Sequence, residues 1–382
     1  MKVFILAGEA SGDRLGAALM AGLKTLTGVE FTGVGGPLMK AEGLDSLFAM
    51  DELSVMGLVE VLPKYRHLKR RIRQTAEAAL AARPDVVITI DSPDFSLRVA
   101  KLVKERSDLR TVHYVAPTVW AWRAGRAQKM AKVIDHVLAL LPFEPPYMEA
   151  AGMACDFVGH PVVAEPVATL AEQAAFRARH RLGDAPLLLV LPGSRRGEVS
   201  RLGPIFGRAL APVLAQHPNM RLVVPTTGNV SELVRQISAE WPQKPVVLDP
   251  NASHMFKADK SAAFAAASGA LAASGTVSLE LAATQTPMVI AYDANWLTRA
   301  IVQRMLLIDT VTLVNLVSET RAIPECTGAA CTPTCIAPAL LDMLAHPQAQ
   351  LPAMQSTMQR LGKGGEAPGL RAAKAVLQGM SG

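Results

Sequence analysis

The chain has 382 residues, half of them hydrophobic, with a formal net charge of +6, which is room for two domains of ordinary size, each with its own core. A basic balance admits nucleic acid, anionic lipid or a phosphorylated substrate, but aromatics make up only 5% and no basic-aromatic repeat is present, so no nucleic acid partner is expected. Cys155, Cys326, Cys331 and Cys335 lack a usual zinc spacing, so reduced thiols are expected, with no metal and no cofactor.

The apolar run Val3 to Leu6 reads as a strand and Leu15 to about Thr25 as a helix. Between them lies AGEASGD, residues 7–13. A helix that starts at such a polar turn gathers unpaired N–H groups and favours an anion or a sugar hydroxyl in front of it. Gly8 and Gly12 let the backbone come close to a ligand, with Ser11 and Asp13 beside them; alternatively, Ser11 or Asp13 merely caps the helix. Phe31 to Val34 is the next strand. The following Gly35 and Gly36 do not complete a dinucleotide-binding spacing, which leaves a nicotinamide site unsupported.

An apolar stretch containing Val55, Met56, Leu58, Val59 and Leu62 then runs into Lys64, Arg66, Lys69, Arg70, Arg71 and Arg73. Apolar residues followed by dense positive charge suit an element lying on an anionic membrane surface, and equally a buried segment followed by a solvated helix face. The buried strand Asp85 to Ile90 ends at Asp91, followed by Ser92 and Pro93. A carboxylate there sits where open α/β sheets bind ligands, as a general base or as a cap for the helix that Pro93 begins. Further strands are expected at Thr111 to Val115, Val133 to Leu140 and Asp156 to Val158, with His113 either a helper or a satisfied neutral imidazole.

Residues 159–166, rich in Pro and without periodicity, read as a linker, after which the alternation restarts. Helices are expected near 170–180, after Glu198, near 231–241, near 261–267 and at 277–283. Strands fall at 187–191, 221–225, 246–248, 270–273 and 288–292. Continuous apolar strands separated by helices imply parallel sheets covered on both faces, hence an α/β protein of two doubly wound domains. The uncharged run 261–279 is mostly Ala, Ser, Gly and Thr, too weakly apolar for a membrane span. Two turns in this half carry chemistry. Gly193, Ser194 and Arg195 follow the strand 187–191, and Arg195 either grips a phosphate or is a surface residue of an ordinary turn. Ser274, Gly275 and Thr276 precede a helix carrying Glu280, four residues beyond Thr276 on the same face, where a carboxylate can take the paired hydroxyls of a ribose.

Several blocks together resemble the lipid-A-disaccharide synthase family: AGEASGD at 7–13, VMGLVEVL at 55–62, ITIDSPDF at 88–95, HYVAPTVWAWR at 113–123, LPFE at 141–144, VGHP at 158–161, LPGSR with EV at 191–199, SGT with LE at 274–280, and NL at 315–316. The resemblance implies the glycosyltransferase B-type fold, with two Rossmann-like domains facing across a cleft. Residues 1–165 would form the acceptor and membrane-facing domain, 166–345 the UDP-sugar donor domain, and 346–382 helices packing back across the domains. It also implies an inverting transfer from UDP-2,3-diacylglucosamine to 2,3-diacylglucosamine 1-phosphate. Asp91 would be the base, with Arg195, Ser274, Gly275, Thr276, Glu280 and Asn315 at the UDP moiety. Attachment to the cytoplasmic face of the inner membrane is expected, and a homodimer is compatible with it. The alternatives are another UDP-sugar enzyme of this fold, such as a 2-epimerase, or a non-catalytic carrier of lipid or nucleotide.

Overall fold

The computed structural model describes residues 1–53, 58–123, 125–294 and 307–381. The chain divides into two compact units, Met1–Ala164 with Gly364–Gly382, and Glu165–Lys363.

The first unit holds a parallel sheet of β1 (Lys2–Ala7), β2 (Glu30–Val34), β3 (Asp45–Ser46), β4 (Val86–Ile90), β5 (Arg110–Tyr114), β6 (His136–Ala139) and β7 (Ala154–Phe157), in the order β3-β2-β1-β4-β5-β6-β7. All five residues of β4 are buried, as an apolar strand with helices on both faces should be. The helix Ala10–Leu26 turns Leu15, Leu19 and Leu23 into the core against Val3 and Ile5, with the repeat of roughly four residues that one helix face presents. Its other neighbour is the last helix, Pro368–Ser381, which contributes Ala372, Ala373 and Val376 to the same core. The two helices approach closely because both carry glycine: a Cβ on Gly22 would stand 2.7 Å from the carbonyl oxygen of Gly369.

The second unit repeats the plan with β8 (Leu187–Leu191), β9 (Arg221–Pro225), β10 (Val246–Leu248), β11 (Gly269–Ala272), β12 (Met288–Tyr292) and β13 (Glu325–Thr327), ordered β10-β9-β8-β11-β12-β13 and parallel throughout. Phe206, Leu210 and Val213 of the helix Arg196–Gln216 pack on this sheet, as do Ile336, Leu340 and Met343 of the helix Pro333–Ala345. Within the run 261–279, Ala262, Ala263, Phe264, Ala270 to Ala273 and Leu279 are buried. Among the described residues no helix is long and apolar enough to cross a membrane.

In both sheets the strand order reverses between the first and the fourth strand, β1 and β4 in one, β8 and β11 in the other. Loops leaving the carboxyl ends of such a pair diverge and open a crevice. Of the helices expected over 346–382, Leu351–Arg360 packs on Leu313–Ser318 within the second unit, and residues from Gly364 onward belong to the first.

Candidate nucleotide and acid sites

In the second unit the strand-order reversal carries a cavity of about 580 Å³, whose lining includes Arg195, Ser274, Gly275, Thr276 and Glu280. The turn after β8 is shaped by Gly193, at φ 115°. Glu198 secures that turn by accepting from the backbone N–H groups of Ser194 at 3.1 Å and Arg195 at 3.3 Å, and its other oxygen takes the Arg195 guanidinium at 2.9 Å. The Arg195 side chain stays largely exposed at the rim. The neighbouring loop is tied to this turn: Asn229 Nδ2 donates to Ser194 O at 3.2 Å, and Asn251 Nδ2 to Gly228 O at 3.0 Å. After β11, Ser274 Oγ donates to Val311 O at 3.0 Å and Gly275 sits at φ 149°. Glu280 faces the cavity and pairs with Lys260 Nζ at 2.5 Å. The volume falls within the roughly 300–1,000 Å³ usual for cofactor-sized ligands.

Two aromatics and a lysine, Phe256, Lys260 and Phe264, complete this wall and belong to none of the motifs of the sequence. Their signal was legible: spaced by four residues, they share one face of the helix Phe256–Ala266. Asn315 is placed elsewhere. It is fully buried, donates to Ile323 O at 2.9 Å, accepts from Ile323 N at 3.0 Å, and is absent from the cavity lining. Asn315 Nδ2 also reaches Thr310 Oγ1 at 3.4 Å, next to the Val311 carbonyl that holds Ser274.

In the first unit Asp91 follows the last residue of β4. Asp91 at φ 50° and Ser92 at φ 44° are consecutive non-glycine residues in the left-handed region, a conformation that costs on the order of 1–3 kcal/mol each and tends to gather at functional sites. The surroundings fix it: Asp91 N donates to Tyr114 O at 3.0 Å, Ser96 Oγ to Asp91 O at 2.7 Å, and Ser92 N to Asp91 Oδ1 at 2.8 Å. Oδ2 has no protein partner among the described residues, so a half-buried carboxylate oxygen is left for another donor. The helix Pro93–Lys104 has no side-chain cap. Gly8 lies against this corner, where a Cβ would stand 2.7 Å from Ser92 Oγ.

The rest of the glycine-bearing stretch divides. Ser11 is exposed and Gly12 buried against Ala7 and Ile90. Asp13 does not face a ligand: it is 2% exposed and accepts from the N–H groups of Gly36 at 2.9 Å, Leu38 at 3.0 Å and Met39 at 3.0 Å, capping the short helix Pro37–Ala41. Glycine at 36 leaves room for that carboxylate. His113 is no helper either. Its Nδ1 meets Thr89 Oγ1 at 2.7 Å, and burial drives its pKa down to about 4, so the ring is neutral.

Residues Val55 and Met56, and the side chains of Leu58, Val59, Leu62 and Lys64, lie outside the described residues. Farther along the helix Leu58–Ala82, Arg66, Lys69, Arg70 and Arg73 are exposed. Arg71 is a correction to the basic surface: its guanidinium grips Glu52 at 2.6 Å and 2.8 Å and lies over the Phe48 ring at 4.4 Å.

One buried acid belongs to the scaffold. Glu144 is 3% exposed, takes N–H donors from Leu140 and Leu141 and, at 3.2 Å, the Trp120 indole, and burial raises its pKa to about 7. A carboxyl whose folded pKa is raised adds stability that is complete below its unfolded value and lost as pH rises through the folded one. We predict that the wild-type chain loses on the order of 3 kcal/mol from this group between about pH 4.5 and 8. Denaturant unfolding of Glu144→Gln beside wild type across that range should show the slope removed; equal slopes would contradict it.

Two parallel sheets whose strand orders reverse at the same point define a glycosyltransferase B-type fold. Solved structures share it: UDP-GlcNAc 2-epimerase from Neisseria meningitidis bound to UDP-GlcNAc (TM-score 0.69, 11% identity, 100% of both chains) and the E. coli ADP-heptose lps heptosyltransferase II (TM-score 0.51, 12% identity, 91% of this chain and 100% of that one). A family model described as lipid-A-disaccharide synthetase matches residues 3–377. A lipid-A-disaccharide synthase from Ruegeria pomeroyi is 68% identical over 100% of this chain and 96% of its own. The chain belongs to the lipid-A-disaccharide synthetase family.

Proposed function

We propose that this chain is an inverting hexosyltransferase that moves a 2,3-diacylglucosamine unit from its UDP derivative to the 6-hydroxyl of 2,3-diacylglucosamine 1-phosphate, forming a β-1,6 disaccharide and UDP. The observation that carries the residue assignments is the cavity in which two turns distant in sequence bring Arg195, Ser274, Gly275, Thr276 and Glu280 together. Arg195 and the N–H groups of the second turn suit a diphosphate, and Glu280 a ribose diol. Asp91, with one carboxylate oxygen unpartnered among the described residues, takes the proton of the attacking hydroxyl while the C–O bond to UDP breaks. Attack and departure on opposite faces invert the anomeric centre. Gly8 serves by letting the first loop lie against the Asp91 corner, with Ser11 and Gly12 in the first turn of the helix Ala10–Leu26 that follows.

The exposed Arg66, Lys69, Arg70 and Arg73 support attachment to an anionic membrane surface, at about 1 kcal/mol per cation near it. Binding to vesicles of anionic phospholipid should fall as salt is raised; binding indifferent to salt would remove the charge contribution. The catalytic reading is tested by incubating the chain with both acylated glucosamine substrates and following products by mass spectrometry. Disaccharide 1-phosphate with UDP is the expected result, whereas a UDP-sugar epimer or no conversion would refute it.

A further inference from the structure

We infer that Lys260 matches the charge of the nucleotide cavity to a diphosphate and holds Glu280 for the ribose, so that the cavity takes a nucleoside diphosphate in preference to the nucleoside alone. This rests on the reading of the cavity as the UDP site.

Charged side chains in the lining are Arg195, Glu198, Lys260 and Glu280, and they pair as Arg195 with Glu198 and Lys260 with Glu280. Among the described residues the charges of the lining therefore sum to zero. A carboxylate beside a diphosphate repels it, and in a partly desolvated cavity that repulsion is several times what it would be in open water. Lys260 removes the penalty that Glu280 would otherwise impose. It also orients the acid: its ammonium takes Oε2 alone, and Oε1 has no protein partner among the described residues, which leaves it open to a hydroxyl donor.

The lysine is itself held. Its ammonium lies 5.2 Å from the centroid of the Phe264 ring, one turn along the same helix. That helix is pinned from outside the cavity by Asp259, which is 2% exposed and takes His180 Nε2 at 2.9 Å together with the Arg179 guanidinium. A cation on a packed helix keeps its place without the ligand, which is the condition for preorganised recognition.

The test is calorimetric titration of the full chain with UDP and with uridine. Lys260→Met should weaken UDP by about tenfold or more and uridine by clearly less, with the UDP loss shrinking at high salt. Lys260→Arg should recover most of the lost affinity and shows that a loss in the methionine variant is not misfolding. In a Glu280→Gln background, Lys260→Met should leave uridine affinity unchanged, since the ribose acid that the lysine orients is gone, while still weakening UDP. If uridine falls there as far as in the single variant, the pairing inference is overturned, as it is if Lys260→Met binds UDP like wild type. Wild-type chain that fails to bind UDP refutes the cavity's assignment instead.

Discussion

Asp91→Asn is expected to lower the turnover of disaccharide synthesis by about 10² to 10⁴-fold, the range that a positioned general base contributes. The substitution keeps the shape of the side chain and an oxygen to accept from Ser92 N, so the strained corner at residues 91 and 92 should survive. What it removes is the ability to take a proton. UDP affinity should be unchanged, because every residue lining the nucleotide cavity belongs to the second unit. Steady-state turnover and UDP titration on the same preparation separate the effects, and turnover within tenfold of wild type would strip Asp91 of its role.

Gly193→Ala should abolish most UDP binding, by a route that is steric. The residue stands at φ 115°, and an added Cβ would lie 2.6 Å from both Cβ and Oε2 of Glu198. Strain of that kind costs on the order of 1–3 kcal/mol. Moving Glu198 to relieve it frees the N–H groups of Ser194 and Arg195 and loosens the guanidinium. Gly197→Ala is the internal control. No atom lies within 4 Å of a Cβ there and the residue is already helical, so affinity and stability should stay near wild type. Two glycines four residues apart should thus differ by well over tenfold in UDP affinity, and similar values for both would contradict the geometry.

The fold was legible because its determinants are local. Runs such as Leu187–Leu191 are apolar at every position, and only a strand covered on both faces tolerates that. That Arg195, Ser274 and Glu280 line one cavity was legible for a related reason: the first two sit on turns that leave such strands, Glu280 sits on the helix after the second turn, and open sheets bind ligands there. What escaped depends on partners far away in sequence. Asp13 looks like a ligand or the cap of its own helix, yet its donors are the N–H groups of residues 36, 38 and 39. Arg71 sits in a basic run, and it is Glu52 and the Phe48 ring, brought close in the folded chain, that draw it inward. The spacing of Lys260 with Phe256 and Phe264 marks a helix face, but its meaning comes from Glu280, twenty residues later. Asn315 shows the limit of resemblance, which marks a position without saying whether it touches the ligand or the segment behind it.

The most direct measurement is proton NMR of the wild-type reaction, following UDP and the new anomeric centre while the acceptor sugar is added or withheld. The account predicts one UDP per β-linked disaccharide and no UDP without acceptor. UDP released equally with and without acceptor, or an α-linkage in the product, would contradict it.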